Sequence, residues 1–434
     1  MSQHAVFGAI YALILVTVTL LGIEAIASFH SPAWPARALR STEPVNWLAA
    51  DAGSFADKPW MVEPFNSWGM RDRERSVAKP AGVGFRSVFI GDSFLEALPT
   101  SRSLPAAVEQ RFAAVGRTDT EAINLGVSGT SPPSYYYRLR DVALKLSPDA
   151  LAVFFFSGND FLREGEGYGD GLLPPLVSES PGRSLIGSVM PRTNWLAVNR
   201  FRQSEFLKGN KLIPREVETL QAIVRGPPDR RVPLLAQHLR RHYFPDLPEA
   251  QLVEILSRGG DAFWDAFAAR PRDEEFLMGW IAALMVRTDL NDNAFSSVRT
   301  REQAAAFALD ADIAATLSWL VAMDDLARAR GVPLRLFLIP AASVDPAFAE
   351  FWKPWPRYYS WYLHCAARHE RLVAALRGTA VSFVDLQPAF QGVPDTYRKA
   401  DGHWNERGLD IAADQVFREL LRLDKAGGKS SAGL

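Results

Sequence analysis

Ser87-Val88-Phe89-Ile90-Gly91-Asp92-Ser93-Phe94-Leu95 is a short apolar run that stops at Gly91, gives way to a polar pair and then turns apolar again. The run reads as a buried strand and the residues after Asp92 as the start of a helix. In an open α/β sheet, ligands sit beyond the carboxyl ends of the strands, where a helix start turns free backbone N–H groups outward. Ser93 at that place is a candidate nucleophile. Taken alone, it is more often an ordinary N-cap or turn serine, so the surrounding chain has to decide.

Downstream, Ser103-Leu104-Pro105 opens a helix with a cap serine and an early proline, and the stripe from Ala106 to Val115 ends at Gly116. Glu121 to Gly126 reads as a second strand, Tyr135 to Leu146 as a helix stopped by Ser147-Pro148, and Ala150 to Phe156 as a strand buried on both faces. Strands and helices alternate, which predicts an α/β fold with right-handed crossovers. From 161 to 300 no strand pattern is found, only glycine- and proline-rich joints and helical stretches such as Ala250 to Ser257 and Glu274 to Val286. That segment is expected to be a helical insertion or lid. Alternation returns with a helix from Arg301 to Arg330, a strand Leu334 to Ile339, an aromatic helical stretch, a strand Val381 to Asp385 and a closing helix Gly408 to Leu423. The tail after Lys425 reads as disordered.

Upstream, no charged residue occurs from Ala5 to Ile23. About 20 apolar residues cross a bilayer, so 5–27 is expected to be a transmembrane anchor, with a secretory signal cleaved after Ala25-Ile26-Ala27 as the alternative. A buried core helix is a third reading. Residues 28–80 read as a linker and an irregular arm, in which Asn66-Ser67-Trp68-Gly69-Met70-Arg71-Asp72 has the look of specific turn chemistry.

The 434 residues, 48% hydrophobic and 22% charged, suffice for a large core and two or three domains' worth of chain. A net charge of −1 provides no basic field for phosphate backbones, so nucleic acid is not an expected partner. The single cysteine, Cys365, rules out an internal disulfide and a multi-cysteine metal site.

Three loops after strands carry polar signatures: Gly91-Asp92-Ser93, Asn124 to Thr130 around Gly129, and Ser157-Gly158-Asn159-Asp160. A fourth, Asp401-Gly402-His403-Trp404-Asn405, follows the last strand. Acyl transfer accounts for these residue types together. Serine needs a base, for which His403 is suited, and the imidazole needs an orienting carboxylate, which Asp401 can supply. The oxyanion needs fixed donors: the Ser93 N–H, the Gly129 N–H and the Asn159 amide.

These four blocks, in this order, resemble the SGNH, or GDSL-like, hydrolase family. The resemblance covers about 85–160 and 305–423. It implies a three-layer α/β/α fold resembling flavodoxin, sheet order 2-1-3-4-5, with 81–160 and 301–425 forming the hydrolase domain around the insertion. It also implies esterase, lipase, thioesterase, carbohydrate O-deacetylase or O-acyltransferase activity without metal or cofactor. Only Gly402 separates Asp401 from His403, where many members have two residues. That shorter Asp-x-His-Trp block is similar to polysaccharide O-acetylation proteins of the superfamily and favours an ester-bearing carbohydrate substrate over lipid. The arm Asn66 to Asp72 likewise resembles that of membrane-anchored bacterial members. Either reading of the N-terminal segment, anchor or cleaved signal, delivers the rest of the chain to the far side of the membrane if the short tail stays inside. That predicts a catalytic domain in the periplasm or at the cell surface, or secreted after cleavage. A non-catalytic carbohydrate-binding or assembly protein on the same scaffold is the second reading, with the aromatic residues between Trp352 and Tyr362 as its platform. Those rings otherwise read as core. His238 with His242, and His364 with Cys365 and His369, read as ordinary helix residues rather than metal ligands, and oligomeric state is not encoded.

Overall fold

The structure, a computed structural model, describes residues 3–30, 66–96, 100–169, 222–269, 278–290, 296–399 and 402–431, with a few isolated positions between them. Five parallel strands form one sheet: β1 Phe85–Gly91, β2 Thr120–Gly126, β3 Ala150–Phe156, β4 Leu334–Ile339 and β5 Phe383–Asp385, in the order β2-β1-β3-β4-β5. Val88 pairs with Ile123 and with Leu151, and Phe154 with Phe337, so the central strands are in register over their apolar runs. The α/β class expected from the alternation is the one observed, and so is the strand order that the family resemblance implies.

Side chains alternate across each strand, and the two faces bury different sets. Phe85, Phe89, Phe154 and Phe337 pack with Leu104, Val108 and Phe112 of the Leu104–Ala114 helix and with Leu409, Val416 and Leu420 of the Glu406–Ser431 helix. Val88, Ile90, Leu151, Val153 and Phe155 pack with Tyr135 and Leu139 of the Pro132–Asp141 helix, Leu320 and Met323 of the Asp310–Ala329 helix, and Leu372 and Leu376 of the Pro356–Leu376 helix. Three layers result, α/β/α.

Several element boundaries differ from expectation for local reasons. The helix read from Arg301 to Arg330 is two: Arg301–Ala305, opened by a reciprocal capping box between Thr300 and Gln303, and Asp310–Ala329. Between them Leu309 is extended and cannot continue a helix. The helix read from Tyr135 to Leu146 ends at Asp141 and continues as a 3-10 turn, Ala143–Leu146, closed by Ser147 at φ +52°. The last helix runs on to Ser431, over residues expected to be disordered.

Within 161–300, the described helices Pro228–His242, Glu249–Ser257, Gly260–Ala268 and Met278–Leu290 bury Leu235, Leu239, Leu252, Trp264 and Phe267 in the same core as Trp352 and Trp355. The Trp355 indole donates to the Ile255 carbonyl at 3.0 Å. The aromatic stretch therefore packs as core: Trp352, Trp355, Tyr358 and Tyr362 are buried, and only Trp361 stands out, at 38% exposure.

The Gln3–His30 helix is apolar all round and exposed, with Phe7, Tyr11, Leu13, Val18 and Leu21 all open to the surroundings. Its Val6–Phe29 segment is long and apolar enough to cross a membrane. Glu24 accepts from the Arg192 and Thr193 backbone N–H groups at 2.7 and 3.0 Å.

Candidate active site

The turn after β1 is built for close approach. A Cβ on Gly91 would press on Leu95 and Phe154, and one on Gly126, at the end of β2, would overlap Leu95. The short Ser93–Glu96 helix can therefore lie directly on the strand ends. The buried Asp92 carboxylate accepts from the Phe94 N–H at 2.9 Å, and the Asp92 carbonyl takes the N–H groups of Leu95 and Glu96, both at 3.2 Å. Ser93 is left half-buried at the mouth of the turn.

His403 meets it there. Its Nε2 lies 2.6 Å from Ser93 Oγ, although the two residues are 310 positions apart. The competing partner of that hydroxyl, Asp92 Oδ2, is 3.4 Å away, so the imidazole holds the closer bond. The ring is packed by Phe94 at 4.7 Å between centroids, and its backbone carbonyl accepts from Arg398 N–H at 2.8 Å. Next to it, Gly402 has φ +70°, and a Cβ there would fall on the Tyr362 hydroxyl. The single residue between Asp401 and His403 thus has two reasons to be glycine. Asp401 itself lies outside the described residues.

Since β1 lies between β2 and β3, the loops after those two strands flank the Ser93 turn. Gly129, exposed and at φ +75°, crowns the first of them. The buried Glu96 carboxylate fixes that loop by accepting from the Ser128 N–H at 2.7 Å and from the Ser128 hydroxyl. Burial raises the Glu96 carboxyl above its ordinary range, with the two Ser128 bonds opposing. Asn159 is exposed at the tip of the second loop. Of the expected residues, Ser93 and His403 are hydrogen-bonded, while Gly129 and Asn159 stand open on the flanking loops.

Sequence reasoning missed most of what holds these loops. Arg71, fully buried, donates to the carbonyls of Glu96 and Thr100 at 3.1 and 2.5 Å. Asn124 Nδ2 donates to the carbonyls of Arg71 and Leu95, both at 2.9 Å. The turn chemistry noted at Asn66 is real: its Oδ1 accepts from the N–H groups of Trp68 and Met70 at 3.0 and 3.1 Å, and Gly69 sits at φ +81°. The arm is thereby pinned beneath the Ser93–Glu96 helix.

Asp160 closes the third loop. Its Oδ2 accepts from the Phe156 N–H at 2.7 Å and the Tyr135 hydroxyl at 2.8 Å, while Oδ1 is buried with no hydrogen-bond partner among the described residues. Burial, and then the neighbouring Asp92 carboxyl, push Asp160 well above the carboxylate range, and burial raises Asp92 too. A carboxyl whose folded pKa exceeds its unfolded value leaves the folded state with more bound protons, so stability falls as pH climbs from the unfolded value toward the raised one. Asp160→Asn keeps the acceptor for Phe156 and Tyr135 without a charge. Its melting temperature relative to wild type should therefore increase as pH climbs above the ordinary carboxylate value of about 4. A difference that stays flat with pH would show that Asp160 is ionised throughout.

No protein-family model matches the chain, and no curated protein matches it in sequence. Among the solved structures that resemble it are two from Bacteroides. One is a GDSL-like lipase from Bacteroides thetaiotaomicron, 12% identical, with 79% of this chain and 91% of that one covered at a TM-score of 0.31. The other is a proposed acylhydrolase from Bacteroides fragilis, 11% identical, covering 78% and 88% at a TM-score of 0.32. Likeness at that level says nothing about activity.

Proposed function

We propose that the chain is a serine esterase or O-acyltransferase of the SGNH type, acting on ester-linked acyl groups, with O-acetyl groups of a carbohydrate as the favoured substrate. The observation that carries this reading is the 2.6 Å contact between His403 Nε2 and Ser93 Oγ at the carboxyl edge of the sheet. Ser93 Oγ attacks the ester carbonyl carbon while His403 takes its proton, and the tetrahedral oxyanion is met by the Ser93 and Gly129 N–H groups and the Asn159 amide. Collapse breaks the bond to the alcohol, which leaves with the proton from His403 and an acyl-Ser93 behind. Water, or a hydroxyl of an acceptor sugar, then takes the acyl group by the same steps in reverse. Asp401 takes the role of orienting the His403 ring.

The Gln3–His30 helix serves as a membrane anchor and residues 81–160 and 301–425 as the catalytic domain outside the cytoplasm, with 161–300 inserted between its halves. The non-catalytic reading, with those aromatic residues as its platform, has less support because Trp352, Trp355, Tyr358 and Tyr362 are buried and Trp361 is the exposed ring of that stretch.

The test is covalent. A fluorophosphonate probe added to the full-length chain in detergent should label one peptide, the one bearing Ser93, because an unactivated serine does not react. Labelling elsewhere, or none, rejects the nucleophile. Measuring free acetate against acetyl transferred to an added oligosaccharide then separates hydrolysis from transfer.

A further inference from the structure

A second serine, histidine and aspartate are joined inside the molecule. Ser157 Oγ, at the end of β3, lies 2.6 Å from His369 Nδ1, and His369 Nε2 lies 3.0 Å from Asp385 Oδ1 at the end of β5. Asp385 Oδ1 also accepts from the Gln387 N–H at 2.8 Å. Burial opposes ionisation of Asp385, but the bonds from His369 and Gln387 outweigh it and hold the carboxyl below its usual range. With a carboxylate on Nε2, that nitrogen carries the proton in the neutral ring, and Nδ1 accepts from the Ser157 hydroxyl. The arrangement joins the same three residue types as a catalytic triad, but with the two ring nitrogens exchanged and without its access. Ser157 is fully buried and His369 nearly so, so no ester reaches that hydroxyl.

What the triplet does touch is the third loop. Ser157 is held through its side chain by His369 and through its N–H by the Ile339 carbonyl at 3.0 Å. The Gly158 carbonyl accepts from Cys365 Sγ at 3.3 Å, one turn before His369 on the Pro356–Leu376 helix. Asp160 is tied to Phe156 and Tyr135. Each neighbour of Asn159 is thus fastened to the interior, and Asn159 alone is exposed.

We infer that Asp385, His369 and Ser157 form a buried positioning relay that sets the Asn159 amide where the oxyanion develops. The inference rests on the proposed Ser93 chemistry and adds residues that never touch substrate. A donor aimed in advance at developing charge acts on the transition state more than on ground-state binding, so the relay acts on kcat.

The experiment is steady-state turnover of p-nitrophenyl acetate by the full-length chain in detergent. Ser157→Ala and His369→Gln should each lower kcat about 10- to 100-fold, with KM within about twofold of wild type. His369→Asn places an amide oxygen where Nδ1 was, accepts the Ser157 hydroxyl, and should recover to within about threefold of wild type. Asn159→Ala, at an exposed site, should cost at least as much as Ser157→Ala, and adding Ser157→Ala to it should cost less than about twofold more. An equal Ser157→Ala cost in both backgrounds, an Asn variant at 369 as poor as the Gln variant, or full activity in Asn159→Ala each overturns the relay. Where Ser157→Ala does not fold, the Asn and Gln pair at 369 decides. Probe labelling at Ser93 in the same samples separates the two failures: labelled Ser93 with additive costs rejects the relay alone, and unlabelled Ser93 rejects both.

Discussion

Alanine at Ser93 is expected to lower turnover of an acetyl ester by about 10⁴-fold or more, and alanine at His403 by a similar factor, while both variants melt within a few degrees of wild type. The size follows from the geometry. The Ser93 hydroxyl has a base 2.6 Å away and no closer competitor, so on the proposed mechanism removing either partner removes the nucleophile or its proton acceptor. The two losses should not add. A Ser93→Ala, His403→Ala double variant is expected to turn over within about tenfold of either single variant, because groups acting as one unit fail together. Stability should hardly change, since Ser93 and His403 are only half-buried and truncation of either opens space to the substrate side rather than a cavity in the core. Full activity in Ser93→Ala would end the covalent account.

How far this site could be read in the sequence depends on the range over which its parts interact. β3 and β4 were read to the residue, because a strand buried on both faces writes a continuous apolar run between polar joints. That loops with glycine and small polar residues follow β1, β2 and β3 was legible, because a sharp turn after a strand demands those residue types and that demand is local. The supports were not. Ser157 meets His369 across 212 positions, and nothing in the spacing of His364, Cys365 and His369 distinguishes a loop clamp from ordinary helix residues. The Arg71 contacts to Glu96 and Thr100 have the same character: the arm's turn was visible, but not what it turned toward. The break at Leu309 went unread because the apolar stripe runs through it, with Ala304 and Ala308 both packed on Leu363 and Ala367. A periodic pattern reports which face is buried, and it is silent on whether the backbone beneath is continuous.

Arg138 offers the largest expected effect on stability. It is fully buried on the Pro132–Asp141 helix, and its guanidinium is a fork under the strand ends: one nitrogen donates to the carbonyls of Gly91 and Leu125 at 3.1 and 2.5 Å, another to Thr130 Oγ1 at 2.6 Å. It also faces the buried carboxyls of Glu96 and Asp160, each of which its charge draws back toward ionisation. Arg138→Met keeps the bulk and removes the charge. Replacing every member of a buried polar cluster by apolar groups is often harmless, whereas removing one member strands the rest. Here two carbonyls, a hydroxyl and two carboxyls stay behind. The variant should lose about 2–3 kcal/mol, the scale of buried hydrogen bonds to a charged group, read as a drop in the denaturation midpoint followed by tryptophan fluorescence. Arg138→Lys should recover less than half of that, because an ammonium carries charge but cannot span the Gly91, Leu125 and Thr130 oxygens at once. Because the Gly91 carbonyl is one residue from Asp92 and two from Ser93, the Lys variant should also lose turnover out of proportion to its stability. A loss under about 1 kcal/mol in Arg138→Met would mean that solvent already reaches these groups, and that the turn carrying Ser93 is held by its glycines and helix cap alone.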